Sequence, residues 1–259
     1  MKKTLCLLIA VLFFISMNCF IYPNPSKGEE LSSFLVTSGL GFEYFNRTVS
    51  WDEDTYSSKL KSYIFLFNMT FEIKEGFFSN IIIGYSLSDF NSLVFRQLPI
   101  SIKLDVGNIS GILFGGEIRK TLYYFSDFEI ETMGQLVYYM GTQKEWDIPG
   151  LGVKGKATGK PKWMRAQVGP ILKYTGIKDF TPYLFVNYNP LWGTFSMEEK
   201  IIELVKTEDK KISGKSRFGI AFGTLYQMSD SFQLKAEFNI LPYKDGIDSG
   251  FFLNATYTF

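Results

Sequence analysis

The sequence contains no histidine and only two cysteines among its 259 residues. Without histidine, the chain lacks the usual general base of Ser-His and Asp-His sites and the commonest neutral metal ligand. Carboxylate pairs such as Glu129 and Glu131 remain, about 7 Å apart on one face of a strand, but two acids at that spacing are weak evidence for catalysis. The sequence therefore predicts no enzymatic role, no cofactor and no metal site.

Lys2 and Lys3 precede an apolar run and then turn-forming residues, as in a secretory signal peptide. Both cysteines, Cys6 and Cys19, lie in this predicted presequence, so the mature chain cannot depend on disulfides or thiolate metal sites. The residues before Cys19 match a lipobox poorly. We expect a signal peptide over residues 1–22, a short periplasmic segment over 23–32 and the folded domain over 33–259, with the cleavage site left open.

Beyond the presequence, no apolar stretch approaches the roughly 20 residues that a membrane-spanning helix needs. Nevertheless 46% of the residues are hydrophobic and 17% are aromatic. A closed barrel can use such apolar surface, because each strand turns alternate residues to lipid while its backbone pairs with both neighbours. The 27 basic and 26 acidic residues leave no basic excess for nucleic acid. The sequence thus predicts an all-β transmembrane barrel.

Ten stretches alternate apolar and polar residues. They cover residues 33–46, 60–73, 77–88, 110–125, 128–141, 163–175, 182–192, 216–228, 232–242 and 249–259. Short and mostly long connections follow in turn, as periplasmic turns and outer loops do in membrane barrels. We expect a ten-stranded antiparallel up-and-down barrel with both termini on the periplasmic side. Residues 98–106 also alternate; we assign them to an outer loop, as a plug strand or a short hairpin, and twelve strands remain the alternative.

The last stretch ends on a carboxy-terminal phenylalanine. Its apolar face is Phe251, Leu253, Ala255, Tyr257 and Phe259. This ending resembles the closing strand of bacterial outer-membrane β-barrel proteins, and the chain is similar in pattern to the small porin-like barrels among them. The resemblance implies an integral outer-membrane monomer in contact with lipopolysaccharide. It also implies that periplasmic chaperones and the barrel assembly machinery act on the chain, with Tyr257 and Phe259 as the assembly signal.

Aromatic residues lie near both ends of the outward faces, as in the two girdles of membrane barrels. The outer set is Tyr44, Tyr63, Tyr85, Tyr138, Tyr188 and Trp192, and the periplasmic set is Phe77, Tyr124, Phe128, Tyr226, Phe232, Tyr257 and Phe259.

The residues that alternate with the outward positions of each strand should face the lumen, and they include charges of both signs. The charged residues are Glu43, Glu72, Glu117, Arg119, Glu129, Glu131, Arg165, Lys173, Lys215, Arg217, Lys235 and Glu237. In one interpretation, acids and bases on opposite walls set a transverse field across a narrow pore and filter small polar solutes. In the other, the same residues form paired networks that fill a small barrel, because an unpaired buried charge is costly. Inward apolar residues such as Ile64 and Leu113 suit a partly hydrophobic passage or a packed plug.

Residues 152–162 carry four lysines and no acid: Lys154, Lys156, Lys160 and Lys162. On a flexible outer loop they could bind lipopolysaccharide phosphates or draw anions to the pore mouth; the alternative is a solvated loop. Residues 197–205 have helical spacing, which predicts a short loop helix or a loose charged loop. We expect a narrow channel for small solutes; the alternative is a non-conducting barrel whose outer loops serve a structural, adhesion or lipid-contact role.

Overall fold

The computed structural model describes residues 36–51, 56–91, 93–95, 102–104, 107–147, 155–201 and 204–259. They form the strands β1 (Val36–Trp51), β2 (Ser57–Lys74), β3 (Phe77–Phe90), β4 (Leu93–Phe95), β5 (Ile102–Leu104), β6 (Asn108–Phe125), β7 (Phe128–Gly141), β8 (Lys144–Asp147), β9 (Gly155–Tyr174), β10 (Phe180–Tyr188), β11 (Leu191–Ile201), β12 (Leu204–Gly214), β13 (Phe218–Ser229), β14 (Phe232–Tyr243) and β15 (Gly246–Thr258). The predicted signal peptide and the segment 23–32 lie outside the described residues. Among those described, no helix has the length and hydropathy to span a membrane.

Ten of these strands close into one antiparallel barrel. Their order is β1, β2, β3, β6, β7, β9, β10, β13, β14, β15, and β15 pairs back with β1 from Thr37 opposite Thr258 to Asn46 opposite Ser249. The prediction of a ten-stranded up-and-down barrel is confirmed. β4 and β5 pair only with each other, so the described part of segment 98–106 belongs to a short hairpin between β3 and β6.

The outward face of the barrel is apolar and exposed. Phe65, Ile83 and Phe222 each leave more than half of their surface accessible, at 55%, 54% and 55%. Their chain neighbours Ile64 and Ala221 point inward and are fully buried. A contiguous surface of this kind is unfavourable in water, whereas it matches the hydrocarbon region of a bilayer.

On the outer side, the barrel narrows from ten strands to eight. β10 and β11 run consecutively along β9, and β12 and β13 continue one another in the same way. The β14–β15 hairpin turns at Tyr243 opposite Gly246, nearer the periplasmic side than the end of the β11–β12 hairpin. Beyond the β14–β15 hairpin, β12 pairs with β1, at Val49 opposite Gly214. The outer ring is therefore β1, β2, β3, β6, β7, β9, β11 and β12.

The loop helix predicted at residues 197–205 is wrong. The described residues of that segment belong to β11 and β12, which form a hairpin that extends the barrel outward. The physical reason is a period of two: Phe195 and Met197 both point inward and are buried, and this burial favours a strand over the helical spacing seen in the sequence.

A bulge in β6 changes which aromatic residues face lipid. The pairing of β6 with β7 shifts by one residue just before Tyr123. As a result Tyr124 lies opposite Glu129, on the lumen side of the rim, so its predicted place in the periplasmic girdle is wrong. Tyr123 and Phe125 take that place, with ring centroids 6.3 Å apart. An extra residue in one strand always exchanges the two faces beyond it.

A buried acid closes the seam at which β1 changes partner from β15 to β12. Asp248 is fully buried and accepts hydrogen bonds from the Thr48 amide at 2.9 Å, the Thr48 hydroxyl at 2.7 Å and the Ser216 hydroxyl at 2.7 Å. Arg47 lies within ion-pair distance at 3.8 Å and donates to the carbonyls of Asn189 and Ser216 at 2.9 and 2.7 Å. We call Arg47 and Asp248 the seam pair.

Candidate functional site

The outer half of the barrel interior is filled by apolar side chains from every strand of the eight-strand ring. These buried residues are Phe45, Val49, Trp51, Leu60, Ile64, Phe90, Ile109, Leu113, Val137, Tyr139, Trp163, Leu191, Phe195, Met197 and Ile212. We call this set the apolar plug. Its members alternate with outward residues along each strand, so the same period of two builds a lipid-facing surface outside and a packed core inside.

Aromatic rings of the plug meet across the lumen. The rings of Phe90 and Phe195 lie 5.4 Å apart in an edge-to-face arrangement, although β3 and β11 stand opposite each other in the ring of eight. Trp51 contacts both, at 5.9 and 5.8 Å. Phe45 and Trp163 make a second contact across the ring, at 5.4 Å. Among the described residues, these contacts bring aromatic rings from different sides of the barrel together inside the lumen at the level of the plug.

Three of the plug aromatics lie outside the strands predicted from the sequence. Trp51, Phe90 and Phe195 fall in the outer connections that the sequence predicted as loops, over residues 47–59, 89–109 and 193–215. The signal that could have found them is the continued alternation of large apolar residues past the predicted strand ends, as in Val49 and Trp51.

A cavity of about 330 Å³ lies on the periplasmic side of the plug. It begins at Phe45 and Arg47, which border the plug and the seam, and reaches Thr37, Thr258 and Gln227. The last three lie within three residues of a strand end on the side of the short turns. The cavity therefore extends from the middle of the barrel to its periplasmic rim.

Four acids and four bases that line the cavity pair with one another. The pairs are Glu43 with Arg165, Glu117 with Arg119 at 2.9 Å, Glu131 with Lys173 at 2.5 Å and Glu237 with Lys235 at 3.3 Å. The Glu43–Arg165 pair joins β1 to β9, which stand opposite each other in the ring of ten. Opposite charges thus neutralise each other over a few ångströms. This arrangement matches the interpretation in which paired charges fill the barrel, and the opposite walls do not carry opposite charge.

Two predicted lumen residues lie close to the cavity but have local roles. Glu129 lies 3.7 Å from Lys173, beside Glu131, and accepts a hydrogen bond from Thr121 at 2.9 Å. Glu72 accepts a hydrogen bond from the amide of Gly76 at 3.2 Å in the β2–β3 turn.

Lys215 and Arg217 do not line the cavity, so their predicted lumen positions are wrong. They lie in the irregular link between β12 and β13. The inward positions are even-numbered before this link, as at Ile212, and odd-numbered after it, as at Ala221. Arg217 is consequently exposed, because the alternation counted through the link does not hold there.

The lysine-rich segment is a strand rather than a flexible loop. Lys156, Lys160 and Lys162 lie on β9, between β8 or β7 on one side and β11 on the other; Lys154 lies outside the described residues. Lys156 donates to Glu145 at 2.5 Å, and this hydrogen bond raises the pKa of its exposed ammonium group. Within the described ranges no group of acids and cysteines could hold a metal ion.

The solved structures to which this chain is similar include bacterial outer-membrane proteins. The outer membrane protease OmpT from Escherichia coli has a TM-score of 0.55 at 10% identity, covering 90% of this chain and 99% of that one. The fold is that of a bacterial outer-membrane β-barrel. An outer membrane channel from Pseudomonas putida F1 has a TM-score of 0.44 at 9% identity, covering 92% of this chain and 100% of that one. The attachment invasion locus protein Ail of Yersinia pestis has a TM-score of 0.34 at 11% identity, covering 87% and 99%.

No protein-family model matches the chain, and the search of curated proteins gives no match. The prediction of no enzymatic role, which rested on the missing histidine, is wrong as an inference about this class, because the same fold carries the protease OmpT. At 10% identity the likeness shows the fold alone.

Proposed function

We propose that the protein is a closed outer-membrane barrel that acts through contact of its outward surface with outer-leaflet lipid rather than by conducting solutes. The apolar plug carries this proposal, because ring contacts between β3 and β11 and between β1 and β9 cross the lumen of the outer ring. A dry apolar constriction blocks ions even where small gaps remain. The geometry thus favours the non-conducting alternative over the narrow channel. The same proposal includes export of the chain through its predicted signal peptide and a monomeric state in the membrane.

Two lysines on the outward surface of the outer end support lipid contact. Trp192 points outward on β11 and marks the outer girdle. Thr194 is the next outward residue, about 7 Å farther along the strand. Its partners are Lys162 on β9 and Lys211 on β12, which therefore stand two strand spacings apart, about 10 Å. Ammonium groups just beyond an aromatic girdle lie at the depth of lipid phosphates, such as those of lipopolysaccharide.

Replacing Lys162 and Lys211 together with glutamine should weaken binding of lipopolysaccharide to the refolded barrel by about thirty-fold. A lysine close to an anionic membrane surface contributes about 1 kcal/mol, and two such losses correspond to that factor. The affinity can be measured by titrating lipopolysaccharide into detergent-refolded protein at fixed ionic strength.

The matched control replaces two exposed periplasmic lysines, Lys74 and Lys178, with glutamine. The net charge changes equally, so an unspecific charge effect would weaken both double variants alike. Equal losses in the two variants, or no loss in the first, would contradict the lipid-contact proposal.

Changing Phe259 to aspartate should prevent assembly in cells and leave the refolded barrel almost as stable as before. Phe259 is 76% exposed and contacts the ring of Tyr257 at 5.1 Å, so it contributes little packing, whereas we propose that the assembly machinery reads it. Heat-modifiable migration of membrane fractions measures the first effect, and urea titration of protein refolded in vitro measures the second. Normal assembly of the variant in cells would argue against an assembly signal at this residue.

A further inference from the structure

The buried side-chain atoms of the periplasmic cavity that lack hydrogen-bond partners belong to carboxamides and to members of ion pairs. In the second group are Oε2 of Glu131 and the Nε atoms of Arg47, Arg119 and Arg165, whose side chains each lie within ion-pair distance of an opposite charge. The oxygens of Asn68, Asn80, Asn239 and Asn254 are buried and have no hydrogen-bond partner among the described residues. Asn68, Asn80 and Asn239 are themselves more than nine-tenths buried. A buried polar group without a partner is costly, so something that hydrogen-bonds to these groups would stabilise the barrel.

The bare backbone of β1 makes room for two of these amides. A Cβ atom at Gly39 would lie 2.7 Å from the Asn68 oxygen, and one at Gly41 would lie 3.1 Å from the Asn254 oxygen. The two carboxamides therefore cross the β1 backbone at positions without side chains. Rotating such an amide by half a turn exchanges oxygen and nitrogen with little change of shape, so each can offer a donor or an acceptor to the cavity.

We infer that this cavity binds a small, neutral, hydroxyl-rich molecule of about the size of one sugar ring, which enters from the periplasmic end. Hydroxyl groups both donate and accept, as carboxamides do. A charged guest would find each lining acid already paired with a base: the carboxylates of Glu117 and Glu131 are held by Arg119 and Lys173. The volume of about 330 Å³ falls within the range of about 300–1,000 Å³ that is usual for small-molecule sites, which leaves room for one ring. The inference does not depend on lipid contact at the outer end.

Three probes that share one ring and differ in charge test the inference on the unmodified protein. They are glucose, which is neutral, glucosamine, which is a cation, and glucuronate, which is an anion. Saturation-transfer NMR on the detergent-refolded barrel should show glucose binding in the millimolar range, with each charged probe at least about tenfold weaker, because a charge in this cavity would lose its hydration without gaining an ionic partner. Tighter binding of a charged probe would overturn the inference. No transfer to any probe would also overturn it, with water alone filling the cavity.

A pair of variants then places the site. Asn68→Leu combined with Asn254→Leu should weaken glucose binding at least about tenfold, because it removes two hydrogen-bonding groups. The leucine side chain is nearly the same size as the asparagine side chain that it replaces. The control, Asn46→Leu, makes the same exchange on the opposite face of β1 and should leave binding unchanged. Heat-modifiable migration reports whether each variant has folded, and if the double variant fails, Gln233→Leu at the cavity wall replaces it. Unchanged glucose binding in the folded cavity variant would overturn the assignment.

Discussion

Replacing Asp248 with alanine should lower the free energy of unfolding of the barrel by about 3–5 kcal/mol, the range associated with removing one partner of a buried ion pair. The side chain of Arg47 is 2% exposed and would keep its charge without a carboxylate beside it. The Thr48 amide and hydroxyl and the Ser216 hydroxyl would lose their acceptor at the same time. The loss can be measured by urea titration in lipid vesicles, followed by tryptophan fluorescence.

The control for this variant lies three residues away. Asp245 is exposed in the β14–β15 turn, so Asp245→Ala removes the same charge and should change the stability by no more than about 0.5 kcal/mol. Lys59 also reaches Asp248, at 3.3 Å, but it is partly exposed and can turn to solvent. A seam-pair variant as stable as the Asp245 control would show that the pair does not hold the seam closed.

Replacing Phe90 and Phe195 together with serine should open the closed barrel to ions. These two rings touch inside the outer ring, and their removal leaves a space within the plug between β3 and β11. Serine hydroxyls allow that space to fill with water, whereas alanine would leave an apolar gap that stays dry. We expect the serine variant to release a trapped ion from vesicles at least about tenfold faster than the wild type.

Two comparison variants make this result interpretable. Phe114 and Phe222 are outward and exposed, so changing both to serine removes the same atoms on the lipid side and should leave the vesicles tight. The alanine version, Phe90→Ala with Phe195→Ala, should lose stability by about 3–5 kcal/mol for each ring and gain less permeability than the serine version. Equal ion release from the outward and inward serine variants would assign the leak to a disordered bilayer instead of the lumen.

The strand count and the lipid-facing surface could be predicted from the sequence, because both depend on a local period of two. Phe65 and Ile83 are outward on that count and are outward in the structure. The short turns, such as the one before Phe77, also follow from local chemistry. What failed were the positions beyond an irregularity: one residue inserted before Tyr123, or the link around Lys215, exchanges the two faces for the rest of the strand.

The interior could not be predicted to the same extent, because it is decided by contacts between residues far apart in the chain. Thr48 and Asp248 are 200 positions apart, and the local sequence around either residue does not indicate its partner. Likewise Phe90 and Phe195 lie in segments whose mixed composition resembles loops, and only the extension of the hairpins places both inside one ring. The pairing of Glu43 with Arg165 depends on which strands stand opposite each other, and therefore on the closed barrel as a whole.

Single-channel recording of the unmodified protein in a planar bilayer tests the closed barrel most directly. Protein refolded from detergent, with insertion verified by heat-modifiable migration, should give a flat baseline across the applied voltages, because the apolar plug occupies the lumen at the level of Trp51, Phe90 and Phe195. Steady, reproducible conductance steps from the inserted wild-type barrel would contradict this account and support a narrow channel.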